Sequence, residues 1–258
     1  MGTTVTRVFD ILKYNIEQFP KADFVSGKIN GTWKSYSTKD FCETVDQLSR
    51  GLVTLGLGKG SRIAVMSPNR PEWNISDFAI MQLGAYQIPL YPTLAAQDIS
   101  FIIKNAEVDF IFVADAALHE KVKAVIDGLD LPIRIYSFDE IEGASHWMEL
   151  QRAGAAAPEI DLEPYRQAVQ PDDILTLIYT SGTTGTPKGV MLTHNNLVQN
   201  FKKCAKIFPS NVRRVLSFLP LSHIFERIIV YVYFYTDAAV YYAESMDTIV
   251  ADIQHVKP

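Results

Sequence analysis

The stretch "GLVTLGLGKGSRIAVMSPNRPEWNISDFAIMQLGAYQIPLYPTL", residues 51–94, holds two short apolar runs, centred near Ile63 and Gln87, with a longer segment between them. Two further runs, centred near Phe110 and Arg134, continue the series at a spacing of about 24 residues. That spacing leaves room for one crossover helix between successive strands. A chain that alternates strands and helices with right-handed crossovers forms a parallel, doubly wound sheet. The predicted fold class is therefore α/β, with layered, mostly parallel sheets.

The segments between the later runs have the periodicity of amphipathic helices. Their apolar residues recur at i, i+3, i+4 and i+7 and are Ile99, Ile102, Ile103 and Ala106 in one segment and Val122, Val125, Ile126 and Leu129 in the next. Such a stripe packs one helix face against a sheet. These segments are therefore predicted to be the crossover helices.

An opening hairpin and a capped helix are predicted near the amino terminus. In "FVSGKINGTWKSYS", residues 24–37, two alternating segments flank Asn30-Gly31, a dipeptide that accepts the positive φ angles of a tight turn. Ser37, with Asp40 three residues later, has the pattern of a helix cap.

The domain prediction depends on residues 152–173, which are rich in alanine, proline and charge and lack apolar periodicity. This composition predicts a connection over the surface. Residues 1–170 are therefore predicted to form an amino-terminal α/β subdomain, and residues 171–258 a second, truncated α/β segment. Because the last predicted element is a helix with no strand after it, we expect the chain to be the amino-terminal part of a longer protein.

Composition and charge narrow the functional classes. The 258 residues are 48% hydrophobic and 21% charged, which indicates a folded globular protein. A net charge of −5 gives no general attraction to nucleic acid. Two distant cysteines, Cys42 and Cys204, argue against a disulfide framework and predict a reducing, cytoplasmic location. Peripheral membrane contact and self-association through an open sheet edge stay open as further expectations.

The most membrane-like segment is "IIVYVYFYTDAAVYYA", residues 228–243, which contains Asp237. It is shorter than a bilayer span and is therefore predicted to be a buried helix followed by a strand.

Residues 180–189, "TSGTTGTPKG", combine five hydroxyl side chains, three glycines, one proline and Lys188. Glycines let backbone amides approach an oxyanion closely, and a lysine adds a compact positive charge. A flexible linker is the alternative, but linkers seldom lie directly between two apolar runs. The stretch is therefore predicted to bind a polyphosphate.

A Walker A loop is a second alternative for this stretch. It requires a glycine before the lysine and a serine or threonine after it. Here Pro187 precedes Lys188 and Gly189 follows it, which disfavours a kinase-like or GTPase-like P-loop.

Eleven consecutive residues, "YTSGTTGTPKG" at 179–189, resemble the phosphate-loop signature of the adenylate-forming (ANL) superfamily of AMP-binding enzymes. This superfamily includes acyl-CoA synthetases, peptide-synthetase adenylation domains and firefly luciferase. "FLPLSHIFER", residues 218–227, resembles the Pro-Leu-x-His-x-x-Glu-Arg segment of long-chain fatty acyl-CoA synthetases. Residues 51–94 also resemble the opening α/β layer of the family, so the resemblance covers nearly the whole chain.

The resemblance implies a two-step ligase reaction. A fatty acid and ATP would give acyl-AMP and pyrophosphate, and the thiol of coenzyme A would then displace AMP. The residues implied in binding the ATP phosphates are Thr180, Ser181, Gly182, Thr183, Thr184, Gly185 and Lys188. Either Thr180 or Ser181 would assist Mg²⁺, and His223 would line the acyl and nucleotide pocket.

Without the resemblance, His223, Glu226 and Arg227 favour a capped or salt-bridged helix start, because such short motifs arise readily. Glu226 and Arg227 are accordingly interpreted as structural residues.

Several parts of a complete ligase are not found in these 258 residues. They are a later Tyr-Gly-x-Thr-Glu segment, an aspartate for the ribose hydroxyls, and a carboxy-terminal domain that carries a catalytic lysine. No catalytic residue is therefore assigned, and we expect the isolated chain to be inactive. A non-catalytic binding module of the same fold and a ligase for another carboxylic acid remain as alternatives.

Overall fold

The computed structural model describes residues 2–29, 31–180 and 187–258. In chain order, its helices and strands are α1 (Asp10–Gln18), β1 (Val25–Ile29), β2 (Thr32–Tyr36), α2 (Thr38–Thr54), β3 (Arg62–Met66), α3 (Pro71–Met81), β4 (Tyr86–Leu90), α4 (Ala96–Ala106), β5 (Phe110–Val113), α5 (Ala116–Leu129), β6 (Arg134–Ser137), β7 (Ser145–His146), α6 (Trp147–Ala155), α7 (Glu163–Ala168), β8 (Ile174–Thr180), β9 (Lys188–Thr193), α8 (His194–Ala205), β10 (Arg214–Ser217), α9 (Ile224–Tyr235), β11 (Ala239–Tyr242) and α10 (Ile249–Val256).

The strands form two sheets, one of seven strands in the order β7-β6-β5-β3-β4-β8-β9 and one of four in the order β10-β11-β1-β2. The four apolar runs of the predicted series are β3, β4, β5 and β6, and each pairs with its neighbour in parallel. The antiparallel pairs are β1 with β2 and β8 with β9. The predicted α/β class with mostly parallel sheets is confirmed.

The layers follow from the apolar stripes. The predicted stripes of α4 and α5 are buried against one face of the seven-stranded sheet, with the exception of Leu129, which is partly buried. Helix α3 is buried along its whole length, because it lies in the core between the two sheets. Helix α3 therefore packs against residues of both sheets.

The predicted local signals at the amino terminus are also confirmed. Strands β1 and β2 pair from Val25↔Tyr36 to Ile29↔Thr32, so the hairpin forms where it was expected. The Ser37 side chain accepts a hydrogen bond from the backbone N–H of Asp40 and caps α2. Residues 228–243 form most of α9 and all of β11, and none of the described helices is long and apolar enough to cross a membrane.

The predicted surface connection at residues 152–173 was wrong in part. The segment begins inside α6 and contains α7. Helix α6 packs on α2 through Gly154, where a Cβ would lie 1.8 Å from the carbonyl oxygen of Gln47. Only the last turn of α6, residues 152–155, lies in this segment, and its buried residue there is Gly154, which adds no apolar side chain to the pattern.

The predicted boundary after residue 170 does not separate the sheets. Strand β1 pairs in parallel with β11, and β4 pairs in parallel with β8. Residues from both predicted parts therefore contribute to each sheet.

Candidate functional site

The candidate phosphate site lies at the end of the β8–β9 hairpin. Thr180 and Lys188 face each other as the last described pair of the antiparallel ladder, and both side chains are exposed. The other predicted phosphate-binding residues, Ser181, Gly182, Thr183, Thr184 and Gly185, lie outside the described residues. The structure therefore places one hydroxyl and one ammonium group at the two ends of the predicted loop, where a solute can reach them.

Tyr179 and Gly189 form the next pair below that end of the hairpin. A Cβ on Gly189 would lie 3.1 Å from Cζ of Tyr179 and 3.3 Å from its hydroxyl oxygen, so the aromatic ring occupies the space beside this glycine. The Tyr179 hydroxyl donates a hydrogen bond of 2.6 Å to Oδ1 of Asn105, and Phe101 meets the ring edge-on. Both partners lie on α4, which therefore supports the stem of the hairpin.

The tyrosine is protonated at neutral pH. Burial raises the pKa of the Tyr179 hydroxyl above its ordinary value. The group therefore keeps its proton and can donate it to Asn105.

The other end of β9 is fixed by its junction with α8. The Thr193 side chain accepts a hydrogen bond from the backbone N–H of Asn196, and the Thr193 N–H donates one to Oδ1 of Asn196, which completes a capping box. His194 follows and is buried, with Nδ1 accepting a hydrogen bond of 3.2 Å from the Val8 N–H. Burial lowers the pKa of His194 to about 3, so a neutral imidazole binds the amino-terminal segment.

His223 lies at the start of α9, beyond the carboxyl end of β10 in the four-stranded sheet. Its side chain is exposed, and Nδ1 accepts a hydrogen bond of 3.1 Å from the Phe225 N–H. Phe218, Leu219 and Phe225 are 43%, 40% and 57% exposed, which is unusual for large apolar residues. We call these three residues the apolar rim of His223, and their chemistry suits an apolar ligand.

Arg227 is a structural residue, as the sequence indicated. It is fully buried, with an ion pair of 2.5 Å to Asp77 and hydrogen bonds to Tyr231 and to Oγ1 of Thr176. Burial lowers the pKa of Arg227, but the Asp77 carboxylate and the Tyr231 hydroxyl more than reverse this, so the guanidinium stays charged. Thr176 lies on β8 four residues before Thr180, and Arg227 therefore connects α9 to the strand that leads to the phosphate site.

Glu226 is also structural and joins α9 to β10. Its buried carboxylate accepts a hydrogen bond of 2.6 Å from the Ser217 hydroxyl, and burial raises the pKa of Glu226.

Asn69 is a site residue that the sequence did not reveal. It follows β3, and its side-chain amide hydrogen-bonds to the turn between β10 and α9, at Ser217, Leu219 and Leu221. The contacting segments are about 150 residues apart in the chain. The one available signal was an asparagine at the carboxyl end of a parallel strand, where polar groups often serve a site.

A cleft of about 840 Å³ lies at the carboxyl ends of strands from both sheets. Its polar lining is largely paired already, because Arg70 contacts Glu72 and Asp139, and Lys28 contacts the buried Asp252. Arg70 and Lys28 are therefore paired with carboxylates of the chain and do not form an anion site.

A metal ion at this site would need ligands from a bound nucleotide. Among residues 2–29, 31–180 and 187–258, no cluster of three or more His, Cys, Asp or Glu side chains could hold one. Mg²⁺ in nucleotide enzymes is commonly held by substrate phosphates, waters and one or two protein groups. The exposed Thr180 hydroxyl fits such a minor role, whereas Ser181 lies outside the described residues.

Comparison with known proteins gives a family for the chain. The profile described as AMP-binding enzyme matches residues 12–258. The long-chain-fatty-acid–CoA ligase FadD15 of Mycobacterium bovis is 31% identical over 233 residues, covering 89% of this chain and 39% of the relative. Long chain acyl-CoA synthetase 3 of Arabidopsis thaliana is 31% identical, covering 97% of this chain and 40% of the relative. The chain thus spans about two fifths of the length of these curated relatives.

Solved structures show the same fold. The inhibitor-bound N-terminal domain of FACL13 from Mycobacterium tuberculosis superimposes with a TM-score of 0.79 at 21% identity, covering 96% of this chain and 60% of that one. ATP-bound MatB from Rhodopseudomonas palustris gives a TM-score of 0.78 at 20% identity, covering 98% and 48%. The resemblance drawn from the motifs is confirmed for family and fold.

Proposed function

Since the chain belongs to the AMP-binding enzyme family, we propose that it forms the amino-terminal, ATP-binding part of a long-chain fatty acid–CoA ligase. The observation that carries this proposal is the exposed pair of Thr180 and Lys188 at the end of a braced hairpin. The names of the two relatives support the acyl-CoA assignment, since one is a long-chain-fatty-acid–CoA ligase and the other a long chain acyl-CoA synthetase, each 31% identical.

In the first step, a fatty acid carboxylate oxygen attacks the α-phosphorus of ATP, and the bond from that phosphorus to the pyrophosphate oxygen breaks. Negative charge then increases on the departing pyrophosphate. We assign Lys188 to stabilising that charge and the Thr180 hydroxyl to donating a hydrogen bond to a phosphate oxygen. Polar and charged groups that are held in place before the reaction stabilise the developing charge most. The support of the β8–β9 hairpin by α4 would therefore hold Thr180 and Lys188 in place for this step.

In the second step, the thiol sulfur of coenzyme A attacks the acyl carbon and AMP leaves with the electron pair of the broken carbon–oxygen bond. The thiol proton is lost to solvent or to a base. A carboxylate would otherwise have to expel oxide, so adenylation supplies the leaving group. No nucleophile from the protein is required in either step.

We assign the acyl side of the site to His223 and its apolar rim. An exposed apolar surface beside a polar imidazole matches a ligand with an alkyl chain and a carboxylate head. A long-chain preference is part of the proposal and is supported by the relatives' names.

We include Mg²⁺ in the proposal, with the Thr180 hydroxyl as a protein contributor. The ion would neutralise phosphate charge when it is bound with ATP. We also propose a cytoplasmic location and peripheral membrane contact for the protein.

The test uses the full-length enzyme that contains this chain, with Thr183, Thr184 and Gly185 replaced together. We expect ATP–pyrophosphate exchange with a long-chain fatty acid to be lost while the protein stays folded. Gly128→Ala, on an exposed position of α5, is the control and should exchange at the wild-type rate. An unchanged exchange rate in the triple variant would refute the assignment of the loop.

A further inference from the structure

We propose that Asn69 is a positioning residue for His223: its side-chain amide fixes the turn before α9 and so sets where the imidazole stands in the ligase site. This inference rests on the proposed function, because it assigns a part to a residue of the proposed acyl side. Asn69 follows β3 and His223 begins α9, so both lie outside the β8–β9 hairpin that carries the predicted phosphate loop.

The hydrogen bonds of Asn69 reach a turn of the opposite sheet. Its Nδ2 donates to the carbonyl oxygen of Leu219 at 2.7 Å, and its Oδ1 accepts from the N–H of Leu221 at 2.9 Å. A side-chain amide that pairs with both a carbonyl and an N–H imitates a neighbouring strand. Asn69 therefore restrains the backbone of the turn on both sides of Pro220.

Pro220 passes this restraint on to His223. The carbonyl oxygen of Pro220 accepts a hydrogen bond of 2.9 Å from the His223 N–H. The His223 ring is held in turn by the Phe225 N–H, which donates to Nδ1 at 3.1 Å. Asn69 is thus linked to the His223 backbone through the turn at Pro220, and the imidazole is held by a separate hydrogen bond from the start of α9.

The same turn carries two of the three residues of the apolar rim. Leu219, whose carbonyl oxygen is bound by Asn69, is 40% exposed, and Phe218 beside it is 43% exposed. Displacement of the turn would therefore move these two residues together with His223. Both changes affect the acyl side of the site and leave the β8–β9 hairpin untouched.

The fold does not depend on Asn69 alone. Ser217 has a second partner in the buried carboxylate of Glu226, so β10 and α9 stay joined when the asparagine is lost. The ion pair between Arg227 and Asp77 also keeps α9 on the core. Removing the Asn69 amide should therefore loosen the turn without releasing the helix.

The experiment uses the full-length enzyme and measures ATP–pyrophosphate exchange with palmitate in Asn69→Ala, His223→Ala and the double variant. We expect Asn69→Ala to raise the KM for palmitate about tenfold with an unchanged KM for ATP, because small displacements from the productive geometry are costly. In the His223→Ala background, Asn69→Ala should raise the KM for palmitate by a clearly smaller factor, because only the displacement of Phe218 and Leu219 remains. An equal loss with and without His223 would overturn the inference, as would wild-type kinetics of either single variant.

Asn69→Asp is the second variant, in case Asn69→Ala folds poorly. It keeps the acceptor for the Leu221 N–H but places a carboxylate oxygen against the Leu219 carbonyl. We expect the same rise in KM for palmitate, and a wild-type value would contradict the proposal. If the wild-type enzyme shows no exchange with any fatty acid, the proposed function fails and this inference with it. If the wild type is active and both Asn69 variants match it, the inference alone fails.

Discussion

Tyr179 and Gly189 face each other across the β8–β9 hairpin, and the tyrosine ring fills the space that a side chain at position 189 would need. This pair lies directly below Thr180 and Lys188, the two exposed ends of the predicted phosphate loop. The glycine next to the lysine is therefore required by a neighbouring aromatic ring as well as by any ligand. Substitutions at Gly189 and at Tyr179 both test this arrangement.

Gly189→Ala should weaken ATP binding in the full-length enzyme. The new Cβ would meet two ring carbons and the hydroxyl oxygen of Tyr179 at 3.1 to 3.4 Å, so either the ring or β9 must shift. Crowding of this kind costs about 1–3 kcal/mol. We expect the KM for ATP in pyrophosphate exchange to rise at least fivefold, on the order of 1 kcal/mol, with little change in the KM for the fatty acid. A variant with wild-type ATP kinetics would show that the stem does not position the loop.

The hydrogen bond from Tyr179 to Asn105 should be measurable by a double-mutant cycle. Tyr179→Phe and Asn105→Ala each remove one partner of a partly exposed bond of 2.6 Å. Each should lower the free energy of unfolding by about 0.5–1.5 kcal/mol. The double variant should lose little more than either single one, because both changes delete the same interaction. Full additivity in urea unfolding would argue that the two groups do not interact.

Local patterns in the sequence predicted the elements but not their long-range partners. The series of apolar runs gave the strand positions because a buried parallel strand needs a short, continuous apolar segment. The stripes of α4 and α5 were visible because a helix that buries one face on a sheet repeats its apolar residues at i, i+3, i+4 and i+7. The end of α6 was missed because its buried residue in the predicted connection is Gly154, which adds no apolar side chain to the pattern.

The site was predictable where it follows from a contiguous motif. Thr180 and Lys188 are eight positions apart in one run of residues, so the hairpin end could be found without a structure. Asn69, by contrast, acts through a turn that is 150 residues away. Its partners are determined by how two sheets pack together, which no single stretch of the sequence specifies.

Thr176→Val tests the buried link between α9 and β8. The Thr176 hydroxyl accepts a hydrogen bond of 2.9 Å from Arg227 and donates one of 2.7 Å to the carbonyl oxygen of Gln87. Valine keeps the shape but leaves both groups without this partner, so we expect a loss of about 2–3 kcal/mol in chemical unfolding. Thr176→Ser, which keeps the hydroxyl, should lose only about 1 kcal/mol. Equal losses would mean that the methyl group contributes as much as the hydrogen bonds.

Gly51→Ala should destabilise the crossing of α2 and α6. A Cβ at Gly51 would lie 2.1 Å from the carbonyl oxygen of Leu150, a backbone atom that can move only with its helix. We expect a loss of about 2–3 kcal/mol. The matched control is Gly128→Ala on α5, where nothing lies within 4 Å of the new Cβ and where stability should rise by up to about 1 kcal/mol. If both variants shift stability in the same direction, the crossing is not sterically closed.

His194 should make the stability of the fold depend on pH in the acid range. Burial lowers its pKa from 6.5 to about 3 in the folded chain, so between these values the unfolded chain binds a proton that the folded chain does not. The contribution to stability is therefore fully present above pH 6.5 and falls as the pH drops towards 3, by at most about 1.4 kcal/mol per pH unit. His194→Gln keeps a polar group facing the Val8 N–H but cannot take up a proton. The free energy of unfolding of the two proteins is measured in urea between pH 4 and 7, about the range in which an ordinary histidine titrates. As the pH is lowered, it should fall less steeply for the variant than for the wild type, whatever the variant's stability at neutral pH. Parallel pH profiles would show that the buried imidazole is protonated in the folded state and that the amino-terminal segment does not depend on its neutral form.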